Sequence, residues 1–448
     1  MRRRHCLFAF LAALSVSCSR IDAPQANGEL VVAVRSAPAF YQDEGESSSG
    51  FEHDVIVMFA RELGVAVRFV VARDPVELVA LLHAGSIHFA ATLPVGAALE
   101  GVRYAPPLLR ARPVLVRHAD SISLDDTDNL AREPVEVVAG SPLATTLKAA
   151  DGNSGRVVME RAGIGDIDLL AKVAEGKIAL AATDLLHFRL AANYFPDLRV
   201  AAQLPGEVEF AWGFARDGDD ELFRQAAEFI ERLQRDGTLA RLDDRYFGHL
   251  KRLTQPDTAD FLERMRTVLP HFRRQFQDAQ EVTGIDWRLL AAVAYQESNW
   301  NPQATSPTGV RGIMMLTAET ADRMNVTDRL EPRQSILAGA KYMADLMQEL
   351  PGSVRTPDRL WLALAAYNLG MGHLNGARAI AANMKRNPDS WYEMKQVLPL
   401  LARPEYYARL KSGRARGGEA VIMVENVRSF FDIISRFEPP YTPTLSLR

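Results

Sequence analysis

The sequence predicts two units of different class in one chain: an N-terminal α/β part folded as two lobes, then an all-α C-terminal part. Three observations predict it. The 448 residues suffice for two or three domains with substantial cores. From Leu30 to about Gly248, apolar runs that suit buried parallel strands alternate with amphipathic helical stretches, and the alternation restarts once. Beyond about Thr258 the chain turns to Ala, Leu, Met and Arg with short Pro/Gly turns and few β-branched runs, a helical composition.

The totals exclude some classes. A 48% hydrophobic content and 52 Lys+Arg against 56 Asp+Glu, for a net charge of −4, describe an ordinary soluble protein. Such a chain is neither disordered nor shaped for a polyanion, so no nucleic-acid partner is expected.

Taken in order, residues 1–18, MRRRHCLFAFLAALSVSC, place three arginines before ten mostly apolar residues, Leu7 to Val16, and then small residues. This reads as an export signal, because the apolar run is too short to span a bilayer as a stable helix. Ser15-Val16-Ser17-Cys18 resembles a lipobox, with Leu14 one place early, so Cys18 is the expected lipidation site. Ser19 after it, rather than Asp, suits sorting to the outer membrane. Simple cleavage of the leader is the alternative. Cys6 and Cys18 are the two cysteines of the chain, so the mature protein is expected to carry no internal bridge.

The first lobe opens with LVVAVRSAPAFY from Leu30, a strand, then GFEHDVIVMFARELGV, a helix, then VRFVV and PVELVALLHAGSIHFAATL. The pattern restarts at VEVVAGSP and continues through LLAKVAEGKIALAATD to DDELFRQAAEFIERLQRDGTLARLDDRYFG. In this order, with Gly-Phe-x-x-Asp at Gly50 to Asp54, these pieces resemble the family 3 periplasmic solute-binding proteins over residues 28–248. The resemblance implies a ligand cleft between the lobes. Amino-acid binders of that family grip an α-carboxylate with an arginine in a T-x-x-E-R segment. Here the segment is TLPVGAALEGVRYAPPLL, with Arg103 displaced, which argues against a free amino acid. Arg103 and Asp184, the latter in ALAATD where relatives place an acid for a ligand amine, are the regulatory-ligand candidates. For Asp184, capping the following helix is the competing role. A muropeptide or peptide is the expected ligand.

After Gly248 the text becomes polar and helical with Pro256 as its first break, so a linker is expected at 251–270 between a unit at 27–250 and one at 271–448. In the second unit, AAVAYQESNWNPQATSPTGVRGIMMLT contains the single carboxylate Glu297 before Glu319. Asp286 is a plausible N-cap for a helix from Trp287 to about Ser298. Leu290, Val293, Ala294 and Glu297 then share one face, which puts the acid among buried side chains. Pairing with an arginine such as Arg311, or capping a neighbouring helix, is the ordinary explanation of a buried glutamate. Here apolar surroundings and a helix C-terminus both push its pKa up, as a general acid at near-neutral pH requires.

Glu-Ser at 297–298, Ser-Pro-x-Gly at 306–309, Gly-Ile-Met at 312–314 and Ala-Tyr-Asn at 366–368 resemble, in this order, the lytic transglycosylase domain with its goose-type lysozyme-like fold. With the unit before it, the chain resembles the membrane-bound lytic murein transglycosylase F family. The resemblance implies Glu297 as the single catalytic acid/base, Ser306 as the contact to an N-acetyl group, and Tyr367 with Asn368 as support for acid and sugar. Met315 stands where related enzymes have Gln, so one polar substrate contact differs, and Met423 in GGEAVIMVENVRSF replaces a frequent aromatic residue. The implied reaction is cleavage of the β-1,4 bond of peptidoglycan glycan strands, with the muramic acid C6 hydroxyl as nucleophile. A second carboxylate, needed by ordinary glycosidases, is then dispensable.

Two rival readings stay open: a cell-wall sensor that has lost catalysis, and a lysozyme-like hydrolase. No cofactor is expected. No metal is expected either, since the nine histidines form no ligand-spaced set. His83, His88 and His373 read as surface or cap residues. Trp300, Trp361 and Trp391 read as core, although Trp300 lies close enough to Glu297 in sequence to be a sugar platform.

Overall fold

The computed structural model describes residues 21–43, 48–96, 100–150, 156–408 and 410–442. The expected leader and Cys18 lie outside the described residues.

The run from Leu30 to Val34 has no exposure at all, as a strand covered on both faces requires. It lies within strand Glu29–Arg35, which pairs in parallel with Ala66–Ala72 and with Phe89–Pro94. Antiparallel Val208–Ala215 follows across the sheet, flanked by the short strands Val102–Tyr104 and Leu109–Ala111. The second lobe has the strand order Leu198–Gln203, Pro113–His118, Leu180–Asp184, Val135–Val138, Val158–Arg161. The chain therefore crosses between lobes twice, at Arg112 and within residues 204–207. Two short crossings form a hinge, and a cleft between the sheets is its consequence.

The helix Phe51–Leu63 buries Phe51, Val55, Ile56, Phe59 and Ala60 on one stripe against the first sheet. It begins at Gly50, φ 128°, where a Cβ would stand 2.2 Å from the Phe40 carbonyl oxygen, so no other residue fits that approach.

The second unit is helical, as expected. Its centre is helix Trp287–Ser298, in which Leu289 to Ala294 are at most 1% exposed. Helices Arg273–Thr283, Pro332–Glu349, Asp358–Leu369 and the long C-terminal Gly417–Phe437 pack around that core. Residues 255–270, within the stretch read as a linker, are themselves ordered. Helix Gln255–Thr267 starts with a Thr254/Asp257 capping box and sends Phe261 and Met265 into the second unit's core.

The C-terminal helix touches both lobes. Its Arg428 donates to the Asp244 and Arg245 carbonyls at 2.9 and 2.7 Å, and Ser429 donates to the His249 carbonyl. Further along, Phe437 packs edge-on against Tyr194 of the second lobe. The same helix reaches inward through Phe430, whose ring lies 4.7 Å from that of Tyr295, two residues before Glu297.

Candidate active site and ligand cleft

Asp286 caps the central helix as expected, accepting from Arg288 N at 2.8 Å and pairing with the Arg288 guanidinium. The helix ends where Asn299 and Trp300 adopt φ of 51° and 57°, which turns the chain back sharply. The Trp300 indole thereby slides beneath the helix, donates to the Ala291 carbonyl at 2.8 Å and packs on Phe261 and Tyr295. Trp300 is thus core and no sugar platform. Trp361 and Trp391 are buried too.

Glu297 sits one turn above this core, half-buried at the helix end. Burial raises its pKa from the ordinary 4.5 to about 7, and among the described residues no charge or hydrogen bond contributes to the rise. Arg311, the expected alternative partner, is exposed and does not pair with it.

The loop after the helix is held from several sides. Ser298 Oγ donates to the Ile313 carbonyl at 2.8 Å, and Arg311 bridges to both Thr305 and Leu316. Gly312, φ 84°, passes so close to the Arg329 carbonyl that a Cβ would lie 1.8 Å from its oxygen. Met315 follows at φ 48°, half-buried. Tyr367, on helix Asp358–Leu369, donates to the Met314 carbonyl at 2.9 Å, and its ring lies 5.4 Å from that of Tyr342. Burial, and after it the nearby Glu297 charge, raise the Tyr367 pKa well above the ordinary value, so its hydroxyl stays protonated.

Glu297 and Tyr367 are therefore neighbours, and Tyr367 binds the loop that carries Met315. Ser306 is turned into its own bend, accepting from Thr308 N and Val310 N at 3.2 Å each. Asn368 is exposed beside Tyr367. Tyr342 is the neighbour that sequence patterns missed; its place is set by a helix far along the chain. Met423 is core, only 4% exposed.

In the first unit, a cleft of about 270 Å³ between the lobes is lined by Arg35, Phe40, Glu52, Asp166 and His187, among others. The lobes meet across it: Arg35 pairs with Asp166 at 3.3 Å, Phe40 stacks on His187, and Asp74 accepts from Gly163 N at 2.6 Å. Glu52 is 2% exposed, and its Oε2 has no hydrogen-bond partner. Burial pushes its pKa up to about 8, while Arg35 and His187 pull it down.

The two residues singled out for the ligand lie differently. Arg103 does not line this cleft: it bonds Asp220 and the carbonyls of Gly218 and Asp219 and covers the Phe223 ring. Its strand pairs at the far side of Val208–Ala215, which turns the guanidinium toward the next helix start. Asp184 caps helix Leu185–Ala192, accepting from Leu186 N and His187 N, and holds His187 Nδ1 at 2.6 Å. Asp166, Asp184 and His187 thus bring ligand atoms within 4.8 Å of one another, a grouping the histidine spacing did not suggest. Their bonds to each other, to Thr183 and to Arg35 account for them. His88 and His373 each use both ring nitrogens on backbone groups, and His83 bonds the Glu100 carbonyl.

Residues 30–249 match the model of bacterial extracellular solute-binding proteins, family 3, and residues 274–390 that of the transglycosylase SLT domain. A protein of Nitrosospira multiformis described as membrane-bound lytic murein transglycosylase F is 41% identical over 92% of this chain and 87% of its own length. Proteins of the same description from Methylobacillus flagellatus and Thiobacillus denitrificans are 40% and 42% identical, over 97% and 98% of this chain and 94% and 95% of theirs.

Proposed function

Because the chain belongs to the membrane-bound lytic murein transglycosylase F family, a group of peptidoglycan lytic transglycosylases, we propose that Glu297 alone performs its acid and base chemistry. The single observation behind this is a half-buried carboxylate whose pKa is raised to about 7 by burial, with no charged neighbour among the described residues acting on it.

Protonated Glu297 donates to the β-1,4 oxygen between N-acetylmuramic acid and N-acetylglucosamine as the bond to C1 breaks. The N-acetyl oxygen stabilises the positive centre. The muramic C6 hydroxyl then bonds to C1 and returns its proton to Glu297, which restores the acid and consumes no water. Tyr367 keeps the Met314–Met315 loop against the acid, and Ser306, Met315 and Asn368 would contact the sugars. The solute-binding unit fits control by a ligand, for which a muropeptide or peptide in the cleft is the best candidate. We assign the stretches 27–250 and 271–448 to the two units, with helix Gln255–Thr267 joining them.

The test is the pH profile of glycan cleavage. Bond breaking needs the protonated acid, so the rate should fall as pH rises through about 7. The same shift has a thermodynamic sign. A carboxyl that holds its proton more tightly when folded penalises the fold as pH rises from 4.5 toward 7. Glu297→Gln should then be more stable at pH 8, by about 1–2 kcal/mol after discounting the partial exposure of Glu297, and melt at a higher temperature. A rate independent of pH from 6 to 8, on the order of the range where His and raised carboxyls titrate, would contradict the assignment.

For location, no helix among the described residues is long and apolar enough to cross a membrane. The reading is a periplasmic, membrane-associated protein held to the outer membrane through a lipid on Cys18, since two or three acyl chains anchor firmly. Cys18→Ala should move the protein from the membrane to the soluble fraction, and unchanged acyl labelling would refute the anchor.

A further inference from the structure

The solute cleft has a wall that does not belong to the solute-binding unit. Arg436, near the end of the C-terminal helix Gly417–Phe437, lines the same cleft as Arg35, Glu52, Asp166 and His187. It also lines a cavity of about 550 Å³ between the units, shared with Arg245, Tyr246 and Trp361. Its position is fixed from both sides. Earlier in the helix Arg428 and Ser429 are bonded to backbone carbonyls at the end of helix Thr238–Phe247 and just beyond it. At its own level the guanidinium carbon lies 5.8 Å from the centre of the Tyr194 ring, which Phe437 also touches.

The charges around the cleft leave this arginine uncommitted. Arg35 is paired with Asp166, and Arg73 with Glu77 at 2.9 Å. Arg436 makes neither an ion pair nor a hydrogen bond among the described residues, its sole recorded partner being the Tyr194 ring. Opposite in character stands Glu52, buried, with an oxygen that no donor reaches. A buried carboxyl oxygen without a partner costs free energy until one arrives, and a free guanidinium matches a carboxylate in two parallel hydrogen bonds. The cleft is thus fitted for a ligand that offers a carboxylate and a hydrogen-bonding amide together, as a short peptide does.

We propose that Arg436 is a ligand-binding residue of the solute cleft, supplied by the catalytic unit, and that it takes a carboxylate of a peptide-bearing wall fragment. The inference rests on the reading that such a fragment occupies the cleft. Its consequence is direct linkage: the carboxylate contact exists only while the units are docked, so ligand strengthens docking and docking strengthens ligand binding by the same factor. The helix that carries Arg436 also carries Phe430, packed on the helix of Glu297, so the ligand touches an element that the active site rests on.

Calorimetry on the full chain tests this with two probes: an anhydromuropeptide with its peptide carboxylates free, and the same compound with them amidated. Arg436→Ala should weaken the free-carboxylate probe about tenfold, the scale of one charge-assisted hydrogen-bonded contact, while Arg436→Lys recovers part of the loss. The amidated probe should bind the wild type and Arg436→Ala alike. Wild-type affinity of Arg436→Ala for the free-carboxylate probe, or an equal loss with both probes, would overturn the inference and leave the cleft as a ligand site. No binding of either probe to the wild type would instead overturn the ligand reading itself.

Discussion

Glu297→Gln should lower the release of anhydromuropeptides from sacculi by about 10²- to 10⁴-fold, the usual contribution of a positioned acid or base. The size follows from one group serving both steps. The amide has nearly the shape of the carboxyl, so substrate contacts survive, but it can neither donate the proton that frees the leaving oxygen nor accept one from the C6 hydroxyl. Nothing nearby replaces it, because no charged group among the described residues acts on Glu297. Glu319, the next acid in sequence, is exposed and bears on Tyr342 instead. Rates measured by chromatography of the released fragments check this, with the higher melting temperature of the variant at pH 8 as evidence that it is folded. Residual turnover within a few-fold of wild type would move the catalytic role to another acid.

The second large effect concerns Arg428→Ala, expected to destabilise the full chain by about 3–5 kcal/mol, the range for breaking a buried ion pair. Arg428 and Glu425 are 3% and 4% exposed and meet at 2.7 Å. Burial pushes the Glu425 pKa up, but Arg428, Lys395 and the Trp391 indole N–H outweigh it and hold the carboxyl below its ordinary value. Without Arg428 the burial cost is no longer covered, the Arg245 carbonyl loses its side-chain donor, and the Asp244 carbonyl keeps only the Gly248 N–H. A carboxyl with a lowered native pKa contributes stability above about pH 4.5 that is lost as pH falls through the native value. Acid should therefore narrow the gap between wild type and variant. Scanning calorimetry checks both points, and the variant should also show two separate transitions, because the same residue fastens one unit to the other. A single unshifted transition would contradict this account of the interface.

Much of this was legible in the sequence because it depends on local pattern. The fully apolar run at Leu30 to Val34 can only be a strand covered on both faces, and it is. Glu297 was found by helical spacing from Leu290 and by its isolation from other acids, both properties of a short stretch. Asp286 was readable as a cap, and Asp184 had capping as its competing role, the one its bonds display. The rest depends on how distant segments meet. Arg103 drew attention as a displaced relative of a motif, yet its surroundings are set by the start of helix Asp220–Arg235, more than a hundred residues later. Glu52 lies inside the Gly-Phe-x-x-Asp motif, but no pattern reveals that one of its oxygens lacks a donor. Arg436 is invisible at that level, since it joins a cleft built from residues of another unit.

The central claim is that a lone carboxylate breaks the glycosidic bond by internal attack of the C6 hydroxyl. Mass spectrometry of muropeptides released from purified sacculi by the full chain, with the digestion run in ¹⁸O-labelled water, tests it most directly. The account predicts 1,6-anhydro ends, lighter by one water than reducing ends and free of ¹⁸O, together with their loss in Glu297→Gln. Reducing ends carrying ¹⁸O would show that water attacks C1, and the chain would then be a hydrolase.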